Sequence, residues 1–237
     1  DGEAALAYGN AGNAAFGMLK DLSALIIGAD PLNNEIIWDQ LYKNTYWGQN
    51  GGPVVFAGIS AIDMALWDIK GKYFGVPVWR LLGGKMHPTL RSYASQLQRG
   101  WLSYRLGKSP EDCAEIALEA VADGYDAVKF DFLELDQGGR DIGDFERTGL
   151  LSPRLTSLFE SRLAAVRQAV GSGVDIIVEC HGVTDTVSAM QLATISQKYG
   201  VLCFEEGNTP SPKMVKDLRQ HTHIPIAHGE RIYSRWQ

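Results

Sequence analysis

Hydrophobic positions keep two rhythms along this chain, and the change between them falls near residue 88. In Val55–Phe74 the apolar residues Ile59, Ile62, Leu66 and Ile69 return at steps of three and four, which predicts one long helix with a single buried stripe. Gly75 and Pro77 stop it. Shorter helices are predicted at Met18–Ile27 and Asn33–Tyr42. Glu3–Tyr8 has strand character, Asn10–Gly17 is small and turn-rich and reads as a flexible loop, and Thr45–Pro53 is a glycine-rich, aromatic loop. Gly83, Gly84 and Pro88 mark a domain boundary.

From residue 89 onward, short apolar runs alternate with segments of helical length. Strands are predicted at Leu90–Ser95, Ala127–Phe132, Asp175–Cys180, Val201–Glu205 and from Ile224. Helices are predicted at Pro110–Asp123, Leu155–Val170, Thr186–Lys198 and Pro212–Gln220. Glu134–Ser152, rich in Gly and Asp, reads as a long mobile loop. This βα order is that of an α/β protein, a modified β/α barrel. A closed barrel needs eight strands, and three more units would take about 75 further residues at the observed period. The expectation is therefore a partial capping domain at 1–88 and a partial barrel at 89–237, cut short at both ends, with about five of the eight strands present.

Three glutamates sharpen that picture. Glu179, Glu205 and Glu230 each close an apolar run, at intervals of 26 and 25 residues. That is the length of one strand-plus-helix unit, so equivalent positions at the carboxyl ends of parallel strands converge. Carboxylates gathered at one point repel unless a cation lies between them, and an all-oxygen set suits a hard ion such as magnesium. The two-residue period of strands puts Lys129 with Asp131, Glu179 with His181, Cys203 with Glu205, and His228 with Glu230 on one inward face. Val128, Phe130 and Val178 take the other face, toward the helices.

Composition narrows the field. The 237 residues carry a net charge of −6, which argues against a nucleic-acid binder. No apolar run is expected to reach membrane-span length, and no basic region followed by an apolar core marks a secretory signal, although the chain begins at Asp1. Cys113, Cys180 and Cys203 are scattered without CxxC spacing, which fits reduced thiols and a cytoplasmic location.

The segment Gly58–Lys72, continued through Pro77–Gly84, resembles the signature helix of the mandelate racemase/muconate lactonizing branch of the enolase superfamily. Glu179-Cys-His-Gly182, Phe204-Glu-Glu206 and Gly229–Trp236 are most similar to its acid-sugar dehydratases of the galactonate type. The resemblance covers essentially the whole chain. It implies an α+β capping domain over a modified barrel, magnesium held by Glu179, Glu205 and Glu230, a sugar-acid substrate and a homo-oligomer. It implies further that a base removes the proton next to a carboxylate, giving an enediolate, and that an acid protonates the departing β-hydroxyl. His181 would be that acid.

Lys129 and Asp131 take the places of the family's Lys-x-Lys pair, so the second lysine is replaced. Lys129 is a candidate for positioning the substrate carboxylate or for the base, and Asp131 is a catalytic candidate. Tyr46, Trp47, His228 and Arg231 are candidate substrate contacts. Glu206 has the opposite parity and is given a supporting role, and Gly207 stands where relatives commonly carry proline. Taken singly, each of these has a plain structural reading: a solvated strand-end acid, a buried ion pair of Lys129 with Asp131, or loop packing at Tyr46 and Trp47. Alternatives to the dehydratase are a racemase or cycloisomerase of the same fold, or a non-catalytic protein that binds metal or a sugar acid.

Overall fold

The computed structural model describes residues 12–46, 48–49, 52–208 and 211–233. The predicted strand at Glu3–Tyr8 and the candidate Trp47 lie outside them. The chain divides into two compact units, 1–90 with 231–237, and 91–230.

The first unit contains helices α1 (Gly12–Ser23), α2 (Asn34–Asn44), α3 (Gly52–Phe74) and the short α4 (Val78–Leu81). Its core joins Ala15, Leu19 and Leu22 of α1 to Ile37 and Leu41 of α2 and to Val55, Ile59, Ile62 and Leu66 of α3. Two expectations are corrected. Residues 12–17 are helical rather than loop, because Ala15, Leu19 and Leu22 continue a helical stripe that the small neighbouring residues obscure. Ile69, placed on the buried stripe from its spacing, is 42% exposed. Gly58 sits where α1 and α3 approach closely, since a Cβ there would meet Leu22 Cδ1 at 2.9 Å and Met18 Cγ at 3.0 Å. By length and composition α3 could cross a membrane, contrary to the expectation that no run would, but its apolar stripe belongs to this core.

The second unit is a four-stranded parallel sheet in the order β1 (Ala127–Phe130), β2 (Asp175–Glu179), β3 (Cys203–Glu205), β4 (Ile226–Ala227). Phe130, Val178, Phe204 and Ile226 lie in register across it. Helix α5 (Pro110–Ala122) precedes β1, and α6 (Pro153–Val170), α7 (Thr186–Ser196) and α8 (Pro212–His221) connect successive strands. Val128, Phe130, Ile176, Val178 and Phe204 are fully buried in one core with Ile116, Phe159, Leu163, Leu192 and Leu218 of the helices. Helix starts follow local chemistry. Ser109 with Asp112, and Asp185 with Ser188, form reciprocal capping boxes, and Pro110 and Pro153 open their helices.

The predicted strand at Leu90–Ser95 shrinks to one parallel bridge, Ala94 to Val128, with Ala94 N–H donating to Ala127 O and Lys129 N–H to Ala94 O. The segment 134–152 is not the loose loop expected. It contains a 3-10 turn at Asp144–Arg147 and buries Leu135, Ile142 and Leu151. Arg162 of α6, 1% exposed, pins its start by donating to the carbonyls of Phe132 and Leu135 at 2.7 Å each. A guanidinium carries five donors, enough to tie several loop carbonyls at once.

Candidate functional site

The carboxyl ends of β1, β2 and β3 bring three charges together. Glu179 and Glu205 are register partners on adjacent strands. Lys129 Nζ lies between them, donating to Glu179 Oε2 and to Glu205 Oε1 at 2.9 Å each. All three side chains are mostly or fully buried, at 8%, 2% and 18% exposure. Glu179 Oε1 also accepts the backbone N–H of Cys180 at 3.1 Å and of His181 at 2.8 Å. Burial opposes charge on Lys129, but its two carboxylate partners outweigh that and hold its pKa above the ordinary lysine value. The buried ion pair anticipated for Lys129 therefore exists, with the two glutamates rather than with Asp131.

One ammonium against two carboxylates leaves this cluster one negative charge in surplus. Burial, reinforced by Glu179, raises the Glu205 pKa despite the lysine. An oxygen-only donor set with surplus negative charge fits a hard cation. The third expected ligand is not gathered with the other two. Glu230 lies past the end of β4 and is exposed, and among the described residues no three His, Cys, Asp or Glu side chains come close enough to hold a metal ion.

Beside this cluster a closed ring of hydrogen bonds surrounds His181. Its Nδ1 is 3.0 Å from Asp131 Oδ2, and its Nε2 is 3.1 Å from Gln96 Nε2. Gln96 Oε1 accepts from Gln98 Nε2 at 2.8 Å, and Gln98 Oε1 accepts the backbone N–H of Asp131 at 3.2 Å. Asp131, 3% exposed, also receives Arg147 Nη1 at 3.2 Å and the backbone N–H of Leu133 at 3.0 Å. The hydrogen bond to Asp131 raises the His181 pKa against the effect of burial. Gln96 and His181 both have left-handed backbones, φ 62° and 53°. Such conformations cost energy outside glycine and persist where the surroundings enforce them.

At the other end of the sheet edge, Glu206 is fully buried with φ 45°. Its Oε1 accepts the Gly229 N–H at 2.9 Å and lies 3.3 Å from His228 Nδ1, too poorly aligned for a hydrogen bond. His228 thus faces Glu206. Tyr46 is exposed in the first unit, to which Arg231 also belongs. Sequence reasoning missed Gln96, Gln98 and Arg147. The two glutamines continue the parity of Ala94 just past the predicted strand, a signal that was available. Arg147 lies in an irregular loop and has no such signature.

A parallel α/β unit with acids, a lysine and a histidine at its carboxyl strand ends defines a class, the β/α sheets whose candidate sites lie at that edge. The chain belongs to the mandelate racemase/muconate lactonizing enzyme family: residues 2–83 match the family's N-terminal domain and residues 112–237 the enolase C-terminal domain-like model. It is 32% identical over 220 residues to a D-galactonate dehydratase of Ralstonia pickettii (strain 12J), covering 92% of this chain and 52% of that protein. A solved member of the enolase superfamily from Salmonella Typhimurium matches with TM-score 0.92 and 46% identity over 97% of this chain and 59% of that one. The 3,6-anhydro-D-galactonate cycloisomerase of Zobellia galactanivorans matches with TM-score 0.74 and 28% identity, covering 94% of this chain and 55% of that chain. The chain thus spans about half the length of the curated relatives it matches.

Proposed function

We propose that this protein serves a magnesium-dependent dehydratase reaction on a sugar acid, with Glu179 and Glu205 as two of the residues that would hold the metal and Glu230, which the structure leaves apart from them, as the third. The observation that carries this reading is a histidine fixed by a buried carboxylate immediately beside two strand-end glutamates and a lysine. The resemblance to D-galactonate dehydratases supports the same reading. When bound, the metal supplies positive charge against the negative charge that develops on the substrate carboxylate. Lys129 adds a second positive charge next to that place. A base other than these residues takes the proton beside the carboxylate, and the electron pair left behind forms the carbon–carbon double bond as the bond to the β-hydroxyl breaks. His181, protonated on both ring nitrogens, gives its Nε2 proton to the departing oxygen, which leaves as water, and the remaining enol becomes a 2-keto-3-deoxy acid. Lys129 is committed to two carboxylates and Asp131 to Arg147 and His181. These residues therefore supply the acid and the charge balance rather than the base. Tyr46 and Arg231 are proposed substrate contacts, the working location is proposed to be the cytoplasm, and the assembly a homo-oligomer.

The test is semicarbazide detection of α-keto acid from a library of aldonates, with and without magnesium. Absence of any magnesium-dependent keto acid sinks the dehydratase. The likeness to a cycloisomerase keeps a second reading in view. Deuterium exchange from solvent at the α-carbon without keto-acid formation would favour it.

A further inference from the structure

The ring around His181 contains its own assignment of protons. A backbone N–H can only donate, so the Asp131 amide fixes Gln98 with Oε1 toward it. Gln98 Nε2 then faces Gln96 Oε1 and also the carboxylate of Glu134, which would repel a flipped amide oxygen. Gln96 is thereby turned with its own Nε2 toward His181 Nε2, and that ring nitrogen must accept. The remaining ring nitrogen, Nδ1, carries the hydrogen and meets the Asp131 carboxylate. Buried Arg147 balances the charge of that carboxylate. The amide relay and the carboxylate thus reach the same tautomer from opposite sides of the ring.

We propose that Asp131, Gln98 and Gln96 are positioning residues that lock neutral His181 as the Nδ1–H tautomer, leaving Nε2 as the atom that takes up and delivers a proton. Asp131, a catalytic candidate from its place in the sequence, here acts through the histidine. The left-handed backbones of Gln96 and His181 fit this role, since both residues are held in unfavourable conformations at the point where the ring closes. The catalytic meaning of the lock rests on the dehydratase reading, but the tautomer itself does not.

The experiment is a long-range proton–nitrogen correlation spectrum of the intact protein with 15N-labelled histidine, recorded well above the ordinary imidazole pKa. His181 is expected to show a protonated Nδ1 and an unprotonated, hydrogen-bonded Nε2. Asp131→Asn, whose amide can offer an N–H to Nδ1, should shift the tautomer toward Nε2–H. It should also lower kcat by about 10- to 100-fold, with KM changed by less than about two-fold. Gln96→Leu, at an exposed position, should keep the Nδ1–H form while the Nε2 signal shifts from its wild-type frequency through loss of the Gln96 hydrogen bond. An Nε2–H tautomer in the wild type, or an Nε2 signal indifferent to Gln96→Leu, overturns the lock even if Asp131→Asn does not fold. A protein with the expected tautomer that dehydrates no sugar acid overturns the functional reading and leaves the lock standing. Turnover with the wrong tautomer does the reverse.

Discussion

The two halves of the sheet's carboxyl edge solve the problem of buried charge differently. At β1 and β2, the buried carboxylates of Glu179 and Asp131 both meet cations, Lys129 and Arg147, and backbone N–H groups fill further lone pairs. Just past the ends of β3 and β4, Glu206 Oε2 and both ring nitrogens of His228 are buried without a hydrogen-bond partner. A buried polar group without a partner costs free energy, whereas a paired and hydrogen-bonded one roughly breaks even. The first half is thus set by charge pairing, while the second relies on packing around Phe204. Interactions that look alike on a list of ionisable residues therefore differ in what their removal does.

The largest break in this contrast is Lys129→Met. It leaves Glu179 and Glu205 facing each other in a buried position with no cation, and a loss of about 3–5 kcal/mol is expected in urea denaturation at neutral pH. Added magnesium should recover more stability in this variant than in the wild type, if the two carboxylates accept a divalent ion. A loss below about 1 kcal/mol would mean that solvent screens the cluster as it does surface pairs.

Gly207→Ala tests the packed half. A Cβ at Gly207 would lie 2.4 Å from Phe204 Cε1 and 3.1 Å from Leu218 Cδ2, so the ring or the backbone must move. Overpacking of this kind costs about 1–3 kcal/mol, read as a lower Tm. It also gives a physical reason for a glycine at 207: the aromatic ring occupies the space a side chain would need. A Tm unchanged by the substitution would show that Phe204 has room to turn.

Much of this was legible in the sequence because it is periodic. The α/β order and the long helix followed from steps of two, three and four. Parity likewise singled out Lys129, Asp131, Glu179 and His181, which the structure brings to one edge. What periodicity missed is aperiodic. Arg147 is buried by its ion pair with Asp131, Arg162 by carbonyls of a loop, and neither belongs to an apolar stripe. Glu206 was assigned by parity to the face opposite Glu205, but its positive φ ends the strand geometry on which parity depends. The shortened strand at Leu90–Ser95 failed for a related reason, since exposed Leu90 and Tyr93 give it apolar and aromatic character without burial. Glu230 shares its spacing with Glu179 and Glu205, but spacing fixes order along the chain and not the reach of a residue three positions past a two-residue strand.

Asp185 sits between the halves and gives a smaller, pH-dependent effect. It caps α7 through Ser188 N–H at 2.9 Å and accepts the Gly149 N–H at 2.8 Å. Burial pushes its pKa up, but these donors outweigh burial and hold it below the ordinary aspartate value. A depressed folded pKa stabilises above the unfolded value of about 3.9 and loses that stabilisation as pH falls through the folded value. Asp185→Ala should therefore cost about 1 kcal/mol at neutral pH and flatten the acid limb of the stability profile. An equal loss at every pH would assign its effect to packing.

The smallest effect is expected at the residue that looks most costly to touch. Glu206 is fully buried and carries a carboxylate, yet only Oε1 is engaged, by the Gly229 N–H. In Glu206→Gln the amide oxygen can keep that bond, while a buried charge and its contact with His228 are both removed. These changes oppose each other, so the urea midpoint should move by less than about 1 kcal/mol equivalent in either direction. A loss comparable to that of Lys129→Met would show that Glu206 and His228 form a true ion pair. In that case the two halves of the edge are held by the same kind of interaction.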